Sequence, residues 1–182
     1  MRGLRLAALL LAAFVPGCGY HALYGGPDGE RLHVALAKNL VADAVAADEV
    51  VSGVRDQLAR EGALAAGQGY PRIEIEVLRA DESSEGVAAV GGAPVARGTE
   101  VGLVARAWLV RAKDAPPEHD TGDVHAMDVV TIDTREGQID PRADALHHQD
   151  ALRAVARRVG RRLALRVLGH PIAADEGIGR ER

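Results

Sequence analysis

The sequence predicts an α+β domain, a two-layer sandwich in which a mainly antiparallel four-stranded sheet carries two helices on one face, in the order β-α-β-β-β-α. Three observations carry this prediction. Apolar residues alternate with a period of two in four separate stretches, and they recur at spacings of three and four in two others. The last three strand-like stretches also follow one another with only turn or loop material between them, which argues for antiparallel pairing. Two helices with a single apolar stripe each must then bury it against the sheet's apolar face.

Residues 31–37 read as the first strand, with Leu32, Val34 and Leu36 on one face and Arg31 and His33 on the other. Over residues 44–60 the period changes: Val50, Val51, Val54 and Leu58 form a stripe, Asp43 is placed to cap the N-terminus, and Gly62 marks the stop. A Gly67-Gln68-Gly69-Tyr70-Pro71 turn follows. Residues 72–79 alternate Ile73, Ile75 and Val77 with Arg72, Glu74 and Glu76, a strand with one oily and one charged face. Residues 81–98 are acidic, then rich in Gly, Ala and Pro, and read as the flexible end of a long hairpin.

The third strand is expected over residues 99–111. Val101, Leu103, Ala105, Ala107 and Leu109 face one way, and Glu100, Arg106 and Trp108 the other. Residues 113–120 make a loop, and 124–133 a fourth strand whose alternation is blurred by Val129, Val130 and Ile132. About residues 144–168 form the last helix. Its stripe is Leu152, Val155, Ala156, Val159, Leu163 and Val167, and Gly169 and Pro171 end it. Residues 171–182 are polar or small and are expected to fray as a C-terminal tail.

Ahead of the domain the chain reads Met1-Arg2-Gly3-Leu4-Arg5, an apolar run from Leu6 to Val15, then Pro16-Gly17-Cys18. Basic residues, a short apolar run and a small residue at the cleavage point are the parts of a signal peptide, here residues 1–17. A membrane-spanning helix needs roughly 20 apolar residues, which this run does not reach. Val15-Pro16-Gly17-Cys18 also resembles the lipobox of bacterial lipoproteins, which implies acylation of Cys18 and attachment to the membrane through that anchor. Cys18 is the sole cysteine, so no disulfide framework competes for it. Gly19 in place of Asp implies, by the same resemblance, sorting to the outer membrane and a lipid-anchored place on its periplasmic face. Residues 18–30 form the lipidated N-terminus and tether, and 31–170 the domain.

Loss of the signal peptide removes Arg2 and Arg5, so the 22 basic residues fall to 20 against 26 acidic ones. An acidic chain with 3% aromatic residues suits neither a phosphate-tracking groove nor base stacking, and nucleic acid is not an expected partner. No cofactor motif is present. Ser52, Ser83 and Ser84 sit in no nucleophile elbow, and His147-His148 lacks the His-Glu-x-x-His spacing of a zinc helix, so neither catalytic nor metal residues are assigned. The last helix carries two arginine stripes, 153/157/161 and 158/162/166. They read either as contacts to anionic lipid head groups or lipopolysaccharide, or as a solvated helix back whose stems cover the apolar flank.

The Cys18-Gly19-Tyr20 start, the polar tether, the element order, and a first helix containing Val51-Ser-Gly-Val-Arg-Asp-Gln-Leu-Ala-Arg-Glu61 together resemble the LptE family of lipopolysaccharide-assembly lipoproteins. That resemblance implies a non-enzymatic role: assembling and plugging an LptD-type outer-membrane β-barrel, and binding lipopolysaccharide. It also points to Arg97, at the family's basic hairpin position, and to Arg142, in the loop entering the last helix, as lipopolysaccharide-binding residues. A second expectation from another class is an adaptor or scaffold lipoprotein in a secretion or polysaccharide-export complex.

Overall fold

The computed structural model describes Tyr24 and residues 29–90, 93–133 and 141–170, with side chains other than those of 84–90, 93–97, 131–133, 141 and 144. The signal peptide, Cys18 and the C-terminal tail lie outside the described residues. Six elements follow in the expected order: β1 (His33–Asn39), α1 (Ala44–Arg60), β2 (Arg72–Val90), β3 (Ala93–Val110), β4 (Val124–Asp133) and α2 (Pro141–Val167). The strands form one mixed sheet in the order β1-β2-β3-β4. β1 runs parallel to β2 because α1 carries the chain back between them, while β2–β3 and β3–β4 are antiparallel.

Local chemistry explains the boundaries. The Asp43 carboxylate accepts from the Val45 and Ala46 amides at 2.8 and 3.2 Å, satisfying two of the donors that an α-helix leaves unpaired at its start. Gly62 and Gly169, at φ of 69° and 77°, take the left-handed conformation just past the two helices, where a side chain would be strained. Leu32 is clamped before β1 by backbone bonds to Ala63 and Ala65 at 2.7 and 2.9 Å.

The helix-facing side of the sheet supplies Ile73, Ile75 and Val77 from β2 and Val101, Leu103, Ala105, Ala107 and Leu109 from β3, all essentially without solvent exposure. The α2 stripe from Leu152 to Val167 is buried as expected, and so are Val50, Val54 and Leu58 of α1. Burying each such Leu, Ile or Val contributes about 1.5–3 kcal/mol, which makes this layer the main source of stability.

Three boundaries differ from the expectation. Residues 81–90 and 93–98 are strand, not a flexible hairpin end. Their main chain pairs from Asp81↔Gly102 to Val90↔Ala93, with register shifts between Glu85 and Val87 and between Ala88 and Ala89, and ladder bonds form whatever the side chains. β1 runs two residues further, and Leu36, on this edge strand, is 39% exposed and not buried, although it pairs in register with Ile75; the β1–β2 register shifts just after it. α2 begins at Pro141, so Arg142 stands in its first turn and not in a preceding loop; proline's fixed φ suits that position.

The two helices meet at glycines. A Cβ on Gly160 would lie 2.9 Å from the Val54 nitrogen and 3.0 Å from the Gly53 Cα, and closer still to the Val50 carbonyl oxygen. A Cβ on Gly53 would press equally hard on the Arg157 backbone. The crossing is therefore backbone against backbone.

Candidate functional site

The sheet face away from the helices is charged, and its charges are paired. Glu76, only 6% exposed, accepts from Arg106 Nε and Nη2 at 2.8 and 2.6 Å and lies 3.5 Å from the Lys38 ammonium. Glu74 is held by Arg72 and accepts from the Trp108 indole at 3.1 Å. Arg106 lies over the Trp108 ring and Arg72 over Tyr70, with 5.5 and 4.5 Å to the centroids. At the end of β3, Arg111 bonds Glu30 at 2.6 Å and Glu118 at 3.1 Å, tying the chain just before β1 to the domain. The Glu30 bond, followed by that of Glu118, raises the Arg111 pKa above its ordinary value.

Arg106 holds the Glu76 carboxyl below its ordinary value of 4.5, chiefly through their hydrogen bond and against the upward push of burial. A carboxylate whose folded pKa is depressed adds stability that is present above its unfolded pKa and is lost as the pH falls through the lower folded value. Glu76→Gln is therefore expected to be less stable than wild type at pH 7, with the gap closing below about pH 4.5. Urea titrations at pH 7 and pH 3 test this, and a gap that does not change between them refutes it.

The arginines of α2 separate into two rows with different work. Arg158 donates to the Met127 carbonyl at 3.1 Å and to Asp128 at 3.0 Å. Arg162 donates to the His125 carbonyl at 2.9 Å, and Arg166 to that of Thr121 at 3.0 Å. β4 is an edge strand, and a row of unpaired carbonyls is a template for another strand. Arg158 and Arg162 cover that row at Met127 and His125, and Arg166, one helical turn on, holds the loop that leads into β4. An Arg158→Ala/Arg162→Ala/Arg166→Ala variant is expected to keep its far-ultraviolet spectrum and to aggregate at a lower temperature than wild type. Light scattering during heating checks it, and unchanged onset removes the edge-guarding role.

The other row faces α1. Arg153, Arg157 and Arg161 line an open cleft of about 580 Å³ together with Val45, Glu49 and Ala154. Arg157 donates through Nε to Glu49 on α1, and that bond keeps its pKa above the ordinary value. Arg153 donates to Asp150 at 3.3 Å, one turn earlier on its own helix. Arg161 has no carboxylate partner among the described residues.

Arg97 lies in β3, opposite Val87 of β2 and Ile132 of β4; its side chain is outside the described set. Arg142 is exposed in the first turn of α2. The contacts of Arg158, Arg162 and Arg166 show that α2 runs back along β4, so its first turn stands at the end where β4 reaches Arg97. Arg97 and Arg142 therefore share the hairpin end of the molecule, apart from the cleft. Sequence spacing separates the two arginine rows but does not say which faces β4 and which faces α1; only the docking of α2 decides that.

Among the described residues no helix is long and apolar enough to cross a membrane, and no three His, Cys, Asp or Glu side chains gather as metal ligands. No family model and no curated protein matches the chain. Among solved structures, it is similar to a minor lipoprotein from Acinetobacter baumannii, 6% identical, with 75% of this chain and 90% of that one covered and a TM-score of 0.46. It is also similar to rare lipoprotein B from Shewanella oneidensis, 12% identical over 70% of this chain and 93% of that one, with a TM-score of 0.41. An uncharacterized lipoprotein B from Nitrosomonas europaea is 12% identical over 74% of this chain and 83% of its own, again with a TM-score of 0.41.

Proposed function

We propose that this chain is a non-enzymatic outer-membrane lipoprotein, anchored at Cys18, that helps assemble and plug an LptD-type barrel and binds lipopolysaccharide for delivery to the outer leaflet. One observation carries the reading. A lipobox ending in Cys18, followed by Gly19-Tyr20 and a short tether, leads into a domain with the β-α-β-β-β-α order that the LptE resemblance implies.

The surfaces are compatible with that role. The open sheet face presents ion pairs and arginine–aromatic stacks, which suit a hydrated wall such as the polar interior of a large barrel. In this reading Arg97 and Arg142 are the residues that meet lipid A phosphates, through charge-assisted hydrogen bonds.

Detergent extraction of the tagged lipoprotein tests the assignment. An outer-membrane barrel is expected in roughly equal amount, and depletion of the lipoprotein is expected to stop lipopolysaccharide short of the cell surface. Recovery of an unrelated envelope complex would favour the adaptor role instead. Normal surface lipopolysaccharide after full depletion would defeat the transport role.

A further inference from the structure

We propose that the loop after β3, residues 111–118, is the face this lipoprotein turns to the phospholipid surface of its own membrane, held there because Tyr24 is buried in the domain and leaves residues 19–23 as the whole spacer to Cys18. The inference rests on the acyl anchor proposed above and adds where the anchored domain meets the bilayer.

The first argument is where the chain is pinned. Tyr24 is 8% exposed and belongs to the apolar core, and its main chain bridges to Glu30. Glu30 is in turn bonded to Arg111, which also holds Glu118. A segment ahead of a domain keeps its place only when it is tied down in such a way. The Tyr24 hydroxyl meets no hydrogen-bond partner among the described residues, so the ring supplies the hold.

Reach is the second. An extended chain spans at most about 3.3–3.6 Å per residue, so Cys18 lies within about 20 Å of the buried Tyr24. Released from Tyr24, the chain would next be fixed at Glu30, and that reach would double to about 40 Å. The short spacer therefore draws to the bilayer the end of the domain that Tyr24 shares, through Glu30, with Arg111 and Glu118.

The build of the loop is the third. Leu109 and Glu118 exchange two backbone bonds of 2.7 Å, and the Ala115 amide donates to the Ala112 carbonyl at 3.1 Å. The loop is thus a closed, hydrogen-bonded projection from the end of β3. Pro116 and Pro117 are exposed on it, and proline offers an apolar ring with no N–H that needs water. Such a surface suits the head-group layer, which is part polar and part apolar. Asp114 stands beside Lys113, and Arg111 is shared between Glu30 and Glu118, so the loop has no excess positive charge. The spacer, and not attraction to anionic lipid, brings it to the membrane.

Site-specific fluorescence quenching tests the face. Cys18 is the sole cysteine and is consumed by acylation, so an added cysteine can be labelled alone. The full acylated chain carrying Ala112→Cys or Val129→Cys is labelled, checked by intact mass, and placed in phosphatidylethanolamine–phosphatidylglycerol vesicles that contain a head-group nitroxide lipid. Val129 pairs with Glu100, about 35 Å farther along β3. The label at 112 is expected to be quenched and the label at 129 to be spared, with the contrast unchanged at high salt. A Gly/Ser insert of about 12 residues after Gly19 is expected to remove most of the quenching at 112. Because it lies ahead of Tyr24, it leaves the fold intact. Tyr24→Ala is expected to act in the same direction, and Tyr24→Phe to keep the wild-type contrast. An acylated chain quenched alike at both sites, quenching that disappears at high salt, or an insert that changes nothing overturns the proposed face and leaves the lipoprotein assignment standing. A chain with no acyl group on residue 18 overturns that assignment, and this inference with it.

Discussion

Gly160→Val is expected to destabilise the domain by about 3 kcal/mol or more, a large share of the stability a domain of this size commands. The reason is the backbone-to-backbone crossing of α1 and α2. Any side chain at Gly160 must displace the Val50 carbonyl, the Val54 amide and the Gly53 Cα, none of which is the loose end of a flexible side chain. Even Gly160→Ala, which gains about 1 kcal/mol of helix propensity, is expected to lose about 1–3 kcal/mol net as the helices are forced apart. Each kcal/mol corresponds to about 2–4 °C in melting temperature at this length, so the valine variant should melt roughly 10 °C lower. Urea unfolding gives the same quantity through its midpoint. An alanine variant as stable as wild type, or more so, would mean that the helices do not touch there.

Cys18→Ser is expected to move the protein from the membrane pellet to the soluble periplasmic fraction almost completely. Each buried methylene holds an acyl chain in the bilayer by about 0.8 kcal/mol, so two or more chains make attachment effectively permanent, and their loss leaves nothing of comparable strength. The arginine row on β4 is engaged and the sheet face is neutralised by its own ion pairs, so neither supplies an attachment of that strength. Fractionation followed by intact-mass measurement reads the result. A variant that still sediments with membranes, or a wild-type chain with an unmodified residue 18, contradicts the lipoprotein assignment and everything placed on it.

Much of the architecture was legible in the sequence because its signals were periodic. Ile73, Ile75 and Val77 alternate cleanly and are buried, the stripe from Leu152 to Val167 keeps helical spacing, and Asp43 caps α1 as its side-chain chemistry suggests. The outer half of the β2–β3 hairpin was not legible. Its order comes from main-chain pairing between residues 81–90 and 93–102, and Gly, Ala and Ser carry no periodic imprint of a ladder. Leu36 misled because it sits on an edge strand, and local alternation does not say how far the helices reach over that edge.

The candidate site was less legible still. The two arginine rows of α2 are identical in type and spacing, and they differ only in what stands opposite. That depends on Glu49, more than a hundred residues away, and on carbonyls of β4 that no residue name reveals.

The stagger of the sheet has a mechanical consequence. β1 pairs only with residues 72–77 of β2, so beyond Val77 the hairpin runs on with β3 and β4 alone. Glu30, where the tether joins the domain, is bonded to Arg111 at the opposite end of β3 from Ala93. Eighteen extended residues span about 60 Å, roughly twice the thickness of a bilayer's hydrocarbon core. With the acyl anchor proposed for Cys18, the hairpin tip lies a full strand length from the residue where the tether joins the domain.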